Sequence, residues 1–341
     1  MSISARRSSA SRGALVVLAA TAVVGMLASC SGGTANEGPA EGQLYQLGTV
    51  LPPDSDDGRC FEEFAADASE STGLNVQTAP SGALGNEPDI YSNLAAGTFQ
   101  FAGLSTSQLG AEFPKLNVLT LPFLFDDHDH AQAAFTSPEV QGLLEEFSDA
   151  TGVTVLGACS SVFRDVAAKV PVRTPADVEG VTLRVPPNEI SIALWESMGG
   201  IPRDVPHSEV YQALESRLVA AADYPFGSIL SGKFYEATDY YSQTGHTWLA
   251  QTLVVNTEFF ESLDEEKQNA LREAAAAQTA KVFGIAKESL SRVTAELAEF
   301  GTVVDDVDTD AFREATASVA TQFAEKYGVV DLYEKLKALG D

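Results

Sequence analysis

The sequence predicts an α/β fold, and three observations carry that prediction. Short apolar stretches with the period-2 pattern of half-buried strands alternate with helical stretches along the chain. Caps, prolines and glycines punctuate those helices. Near the carboxyl end, residues 263–300 read as one long helix closed by Gly301. The chain has 341 residues, enough for one large core or two smaller ones. A hydrophobic content of 45% and a mean hydropathy of -0.01 fit a soluble globular protein.

In chain order, residues 44–50 read as the first strand, 60–71 as an amphipathic helix ended near Gly73, and 74–78 as the next strand. Residues 80–87, PSGALGNE, form a Gly-rich loop. It lacks the G-x-G-x-x-G spacing and any P-loop lysine, so it is not a nucleotide loop. A helix over 89–96 ends at Gly97, and an apolar strand over 99–104 leads to Ser105-Thr106-Ser107, hydroxyls that also suit a helix cap. Ser137-Pro138 opens a helix to residue 147, and 153–156 is a strand. Thr174 and Asp177 form a T-x-x-D start with Pro175 at the first helical position, and Gly180 ends that turn. Ser208 is read as the cap of a helix over 209–216, and 248–256 as one buried strand. Ser262 and Glu265 read as the capping box of the long helix, which at 1.5 Å per residue spans roughly 55 Å. Gly284 marks a bend or a break in it. A short strand at 303–304 and amphipathic helices over 312–327 and 332–339 close the chain.

The formal charge is -27. Residues 1–29 carry Arg6, Arg7 and Arg12 and no acid, so the remainder holds 18 basic against 48 acidic side chains, a balance of -30. That argues against nucleic acid or an anionic lipid surface as a partner. Any anion site must be a local pocket. Residues 1–29 read as a secretion signal: arginines, an apolar run from Ala14 to Ala28 too short to span a bilayer comfortably, then Leu27-Ala28-Ser29-Cys30. That tetrapeptide resembles a bacterial lipobox, in which Cys30 receives lipid after cleavage. An ordinary signal peptide or an uncleaved anchor is the alternative. Residues 30–42 read as a flexible tether. Cys60 and Cys159 then remain, an even count that permits one disulfide in an oxidising compartment, with two buried thiols as the alternative.

The candidate site starts at Arg184. Val181, Leu183 and Val185 alternate with Thr182 and Arg184, and Pro186-Pro187 stops the strand. If the apolar residues face the core, Arg184 faces the other way, near the strand's carboxyl end, where α/β sheets collect ligands. Its planar fork of donors suits a carboxylate, though an arginine on a solvated face gives the same spacing. In DDHDH, residues 126–130, His128 and His130 lack a third ligand, so a solvated turn is expected rather than a metal site. No cofactor motif is present.

Residues 174–236 resemble the second lobe of the solute-binding proteins of TRAP (tripartite ATP-independent periplasmic) transporters, the dicarboxylate-binding type. The residues that carry it are Leu183-Arg184-Val185-Pro186, then Glu209-Val210-Tyr211 with Ala213-Leu214, then Lys233-Phe234-Tyr235-Glu236. The likeness covers nearly the whole chain after the leader. It implies a two-lobe, periplasmic-binding-protein-like fold with a cleft between the lobes and a long spine helix. The lobes would comprise 43–161 plus 250–289, and 162–249 plus 290–341. Arg184 falls on the family's principal carboxylate clamp. Arg164, 20 residues earlier, falls on a second arginine, with a hinge salt bridge as its other reading. Glu87 and Ser105 fall on first-lobe contacts, and His207 on a ring against the ligand. The family layout also places Cys60 and Cys159 near the cleft and implies their pairing.

Two departures stand out. Arg217 replaces a common glycine, and Ala220-Ala221-Ala222-Asp223-Tyr224-Pro225 replaces an Asp-Gly-x-Glu-Asn-Pro run, so Tyr224 stands where an amide is common. With Asp223 and Phe226 beside it, the pocket is expected to suit an aromatic, branched or otherwise less polar acid. The expected function is a lipid-anchored extracytoplasmic receptor that closes over a small organic acid and docks on a TRAP permease. The alternatives are a secreted hydrolase, disfavoured by the absence of G-x-S-x-G, H-E-x-x-H and CxxC patterns, and a solute-sensing receptor for a signalling partner.

Overall fold

The computed structural model describes residues 42–340. The predicted leader, Cys30 and the tether up to residue 41 lie outside the described residues. The strands are β1 (Leu44–Gly48), β2 (Asn75–Ala79), β3 (Phe101–Ser105), β4 (Val153–Ala158), β5 (Val162–Ala168), β6 (Thr182–Val185), β7 (Ile201–Asp204), β8 (Ala221–Tyr224), β9 (Tyr240–Leu249), β10 (Gln251–Asn256) and β11 (Thr302–Val304). The α-helices are α1 (Asp56–Thr72), α2 (Glu87–Ala95), α3 (Thr106–Glu112), α4 (His128–Phe135), α5 (Pro138–Thr151), α6 (Glu189–Ser197), α7 (Val210–Glu215), α8 (Phe226–Ser231), α9 (Thr257–Ser262), α10 (Glu265–Leu297), α11 (Thr309–Tyr327) and α12 (Val330–Lys337).

Two sheets organise them. The first runs β2-β1-β3-β10-β4, with β1 parallel to β2 and β3, and β10 antiparallel to β3 and β4. The second runs β11-β9-β5-β8-β6-β7. Each sheet has apolar side chains on both faces. On the first, Ala102 and Leu104 join one core cluster, and Phe101 joins another with Leu47. On the second, Leu183, Val185 and Ala221 meet Trp195 on one face, while Ala222 and Tyr224 meet Phe234 and Tyr241 on the other. This is the two-lobe α/β architecture the sequence implied.

The chain crosses between sheets at two places that matter. β9 and β10 form one extended ribbon broken only at Ala250, so the strand expected over 248–256 belongs to both sheets. Helix α10, 33 residues and roughly 50 Å long, packs on α1, β4 and α4 of the first lobe and on α8 and β11 of the second. It runs unbroken through Gly284. Gly157 permits its approach to β4: a Cβ there would sit 2.4 Å from Thr279 Oγ1 and 2.9 Å from Ala275 O. The cap of α10 is Asp264, whose carboxylate accepts from Lys267 N at 2.9 Å, and not Ser262, which ends α9. At the carboxyl end α11 packs on α6 and on the turn Pro114–Thr120, and Leu336 of α12 is buried with first-lobe residues such as Phe125 and Phe135.

The segment 126–130 is solvated only in part: Asp126, Asp127 and Asp129 are exposed, but its histidines are not. His128 and His130 are both buried. His130 Nε2 lies 2.8 Å from Leu336 O, and His128 packs edge-on to Phe163 at 5.1 Å. α12 covers His130 and β5 covers His128, which local sequence could not reveal. Among the described residues no His, Cys, Asp and Glu group could hold a metal.

Candidate functional site

Strand β6 places the key side chain. Leu183 and Val185 insert into the core with Val166 and Trp195, so alternation sends Arg184 to the opposite face. That face is covered as well, and Arg184 is only 3% exposed. Its Nε donates to Val205 O at 2.9 Å, and its Cζ lies 4.2 Å from the centroid of the Tyr224 ring. Neither Nη atom has a hydrogen-bond partner among the described residues. Burial works against its charge, Tyr224 opposes that effect, and Arg164 adds to it. The Tyr224 hydroxyl and His207 Nδ1 are hydrogen-bonded at 3.0 Å. Burial, reinforced by Arg184 and Arg164, pushes His207 down to about 4, so its ring is neutral at pH 7.

Arg164 is held differently. Its Nε donates to Asp223 Oδ1 at 2.6 Å and its Nη2 to Asp223 O at 2.6 Å. The other Asp223 oxygen accepts from Trp195 Nε1 at 3.0 Å, and His246 Nε2 lies 3.2 Å from Oδ1. Burial alone would raise the Asp223 pKa, yet Arg164, His246 and the hydrogen bonds outweigh it and hold the carboxyl well below the usual range. Beside it, burial pushes Asp165 up to about 8 despite a hydrogen bond from Gly245 N at 3.0 Å. Asp165 is therefore protonated at neutral pH, which keeps a second negative charge away from Asp223. Arg164 still approaches the same ring as Arg184, its Cζ 5.6 Å from the Tyr224 centroid.

The first sheet contributes an acid. Ser105, at the end of β3, caps α3 by accepting from Gln108 N at 3.1 Å. Its N and Oγ also donate to the two oxygens of Glu87, at 2.7 and 2.8 Å. Glu87 senses both arginines. Burial raises its pKa more than Ser105 and the arginines lower it. Ser208 donates across the gap to Asn86 Oδ1 at 3.2 Å, and Asn188 Nδ2 donates to Asn117 Oδ1 at 3.0 Å. A cavity of about 270 Å³ flanks the site, with Ser81 and Asn86 on one side and His207, Tyr211 and Phe234 on the other.

The family model of the bacterial extracellular solute-binding proteins, family 7, matches residues 47–326. The chain belongs to that family. A solute-binding protein of Chromohalobacter salexigens is 29% identical over 315 residues, covering 90% of this chain and 91% of its own. The 2,3-diketo-L-gulonate-binding periplasmic protein YiaO of Escherichia coli is 30% identical, over 71% of this chain and 74% of its own. Among solved structures, a TRAP periplasmic solute-binding protein from Polaromonas, bound to D-erythronate, matches with a TM-score of 0.82 at 26% identity, over 86% of this chain and 98% of its own. Another from Chromohalobacter salexigens, with D-glucuronate, gives 0.79 at 26%, over 87% and 99%. These are transport components and not enzymes, and their place is outside the cytoplasm. Neither the hydrolase nor the sensing reading gains support. No helix among the described residues is long and apolar enough to cross a membrane.

Of the residues singled out in this solute-binding protein's sequence, Arg184, Arg164, Tyr224, His207, Glu87 and Ser105 are brought together. Asp223 is a buried partner of Arg164, both carboxylate oxygens engaged. Phe226 does not join the wall beside Tyr224; it is buried edge-on to Tyr241 at 6.4 Å and lines a separate cavity. Ser208 does not cap α7; its hydroxyl spans the gap instead. Arg217 sits at φ +60, in the left-handed region that glycine adopts at least cost. The Cys60 and Cys159 sulfurs are at bonding distance, with Cα atoms 5.5 Å apart. The sequence did not reveal the roles of Trp195 and His246: Trp195 reaches Asp223 from α6 and His246 comes from β9, which pairs with β5.

Proposed function

We propose that the protein captures a small organic acid by its carboxylate between the two lobes and hands it to a TRAP-type membrane permease. One observation carries the reading: Arg184 is buried, fixed at Nε by Val205, and has no protein partner for either Nη among the described residues. A carboxylate presents two acceptor oxygens that match such a fork. Arg164 adds charge from a fixed position, and Glu87, whose pKa burial raises, faces the bound acid from the first lobe. Contacts from both sides favour the closed state.

Tyr224 supports an acid with a less polar body. Its ring already lies over Arg184, so the ligand's remainder meets a flat apolar face where relatives carry an amide. In this reading the lobes divide as 43–161 plus 250–289 against 162–249 plus 290–341, with the closing helices packed across both. Cys30 carries the lipid that tethers the receptor at the outer face of the cytoplasmic membrane. Native mass spectrometry of the purified protein tests the substrate class. A retained acid with an aromatic or branched body is the expected result. A retained ligand without an acid group overturns the reading.

A further inference from the structure

Beside the arginines three rings pack on one another. The centroids of His207 and Tyr224 lie 5.7 Å apart, those of Tyr224 and Phe234 5.1 Å, and those of His207 and Phe234 6.4 Å. The two sides of this layer differ. Tyr224 has both Arg184 and Arg164 over its ring. His207 and Phe234 instead line the cavity of about 270 Å³, whose lining includes neither Tyr224 nor the arginines. The first lobe divides in the same way: Glu87 faces the arginines, and its neighbour Asn86 lines the cavity. The boundary between the acid site and the outer cavity therefore runs between Glu87 and Asn86 on one lobe and between Tyr224 and His207 on the other.

Hydrogen bonds hold His207 at that boundary. Its turn, His207–Glu209, closely follows Val205, whose carbonyl accepts from Arg184 Nε at 2.9 Å. Its Nδ1 is bonded to the Tyr224 hydroxyl at 3.0 Å, and the next residue, Ser208, donates to Asn86 Oδ1 at 3.2 Å. The cavity behind the ring suits the uncharged part of a ligand. No Asp, Glu, Lys or Arg lines it; Val50, Pro52 and Phe234 supply apolar surface, and Ser81 and Ser208 supply hydroxyls. At about 270 Å³ it exceeds the roughly 150 Å³ that holds a benzene ring in a protein interior.

From this geometry we infer that His207 is a specificity-determining residue: its ring closes the acid site towards the outer cavity and so limits the length of the acid that Arg184 can hold. Short acids fit inside the boundary. A longer acid needs the space that the imidazole fills, and once that space is free the outer cavity takes its uncharged end. The inference rests on Arg184 as the carboxylate clamp and adds a limit that the clamp itself does not impose.

The test is calorimetry of the purified protein with a series of ω-phenylalkanoates, from phenylacetate to 6-phenylhexanoate. Wild type is expected to bind the short members and to lose affinity as the chain lengthens. In His207→Ala the long members are expected to bind roughly tenfold tighter or more than in wild type, with the short members changed by about threefold at most. His207→Phe, which keeps a ring and loses the bond to Tyr224, is expected to keep the wild-type limit. Arg184→Ala, added to either protein, is expected to weaken every member roughly a hundredfold or more. An unchanged length preference in His207→Ala overturns the inference, and so does loss of the limit in His207→Phe; the clamp stands in both cases if Arg184→Ala still weakens binding. Affinity that survives Arg184→Ala overturns the clamp itself. Failure of every member to bind both wild type and His207→Ala also overturns the inference. Should His207→Ala not fold, His207→Ser decides in its place.

Discussion

The surroundings of Arg164 and Arg184 differ more than their shared ring suggests. Around Arg164 two nitrogens are taken by Asp223, whose other oxygen accepts from Trp195, and His246 Nε2 lies 3.2 Å from Asp223 Oδ1. Around Arg184 only Nε is spoken for, by Val205. Equal burial therefore conceals unequal roles. One guanidinium is held by a counter-charge; the other has both Nη atoms without a partner among the described residues, as the proposed clamp requires.

Mutation sharpens that contrast. Arg184→Ala should remove a buried charge pair with the ligand and weaken binding by about 3–5 kcal/mol, roughly a hundred- to several thousand-fold. Calorimetry with the acid found by mass spectrometry checks this, and affinity within threefold of wild type would break the contrast. Asp223→Asn should act on folding instead. It strips Arg164 of its counter-charge and should lower the unfolding free energy by about 3–5 kcal/mol in urea titrations, more than Arg184→Ala does. The wild-type Asp223 pKa is depressed, so its contribution is present above the ordinary carboxylate range and fades as pH falls below about 4. The variant should lack that acid-side decline.

Two smaller effects test the shared wall. Tyr224→Phe removes the bond to His207 and keeps the ring over Arg184. Stability should fall by about 1 kcal/mol, with acid affinity changed only a few-fold. Glu87 sets a pH dependence. Its pKa is raised, so as pH climbs through it a second negative charge appears facing the bound acid. Affinity should drop with rising pH, by about fivefold, and Glu87→Gln should flatten the profile. His207 titrates near 4, below that window. A wild-type profile that rises with pH would contradict the placement of Glu87.

How much of this was legible depended on how local the cause was. Alternation around Leu183 and Val185, ended by Pro186-Pro187, was enough to locate Arg184 and its facing. The long helix followed from composition, and its start slipped by two residues because Ser262 and Asp264 are both good caps. The setting of Arg164 was not legible. Asp223 lies 59 residues away in sequence, and His246 joins only through strand pairing. His128 and His130 looked like surface residues because their cover is distant in sequence: Phe163 of β5 for His128, and α12, some 200 residues later, for His130.

The ribbon of β9 and β10 has a mechanical consequence. At Ala250, the residue between its two halves, the carbonyl accepts from Thr106 N at 2.9 Å, and its own N lies 3.4 Å from Thr106 Oγ1. Thr106 follows Ser105, which grips Glu87. A pivot at Ala250 thus pulls on the very residue that aims the first lobe's acid. If the two halves swing about Ala250, Glu87 is expected to be re-aimed with them, through one peptide unit.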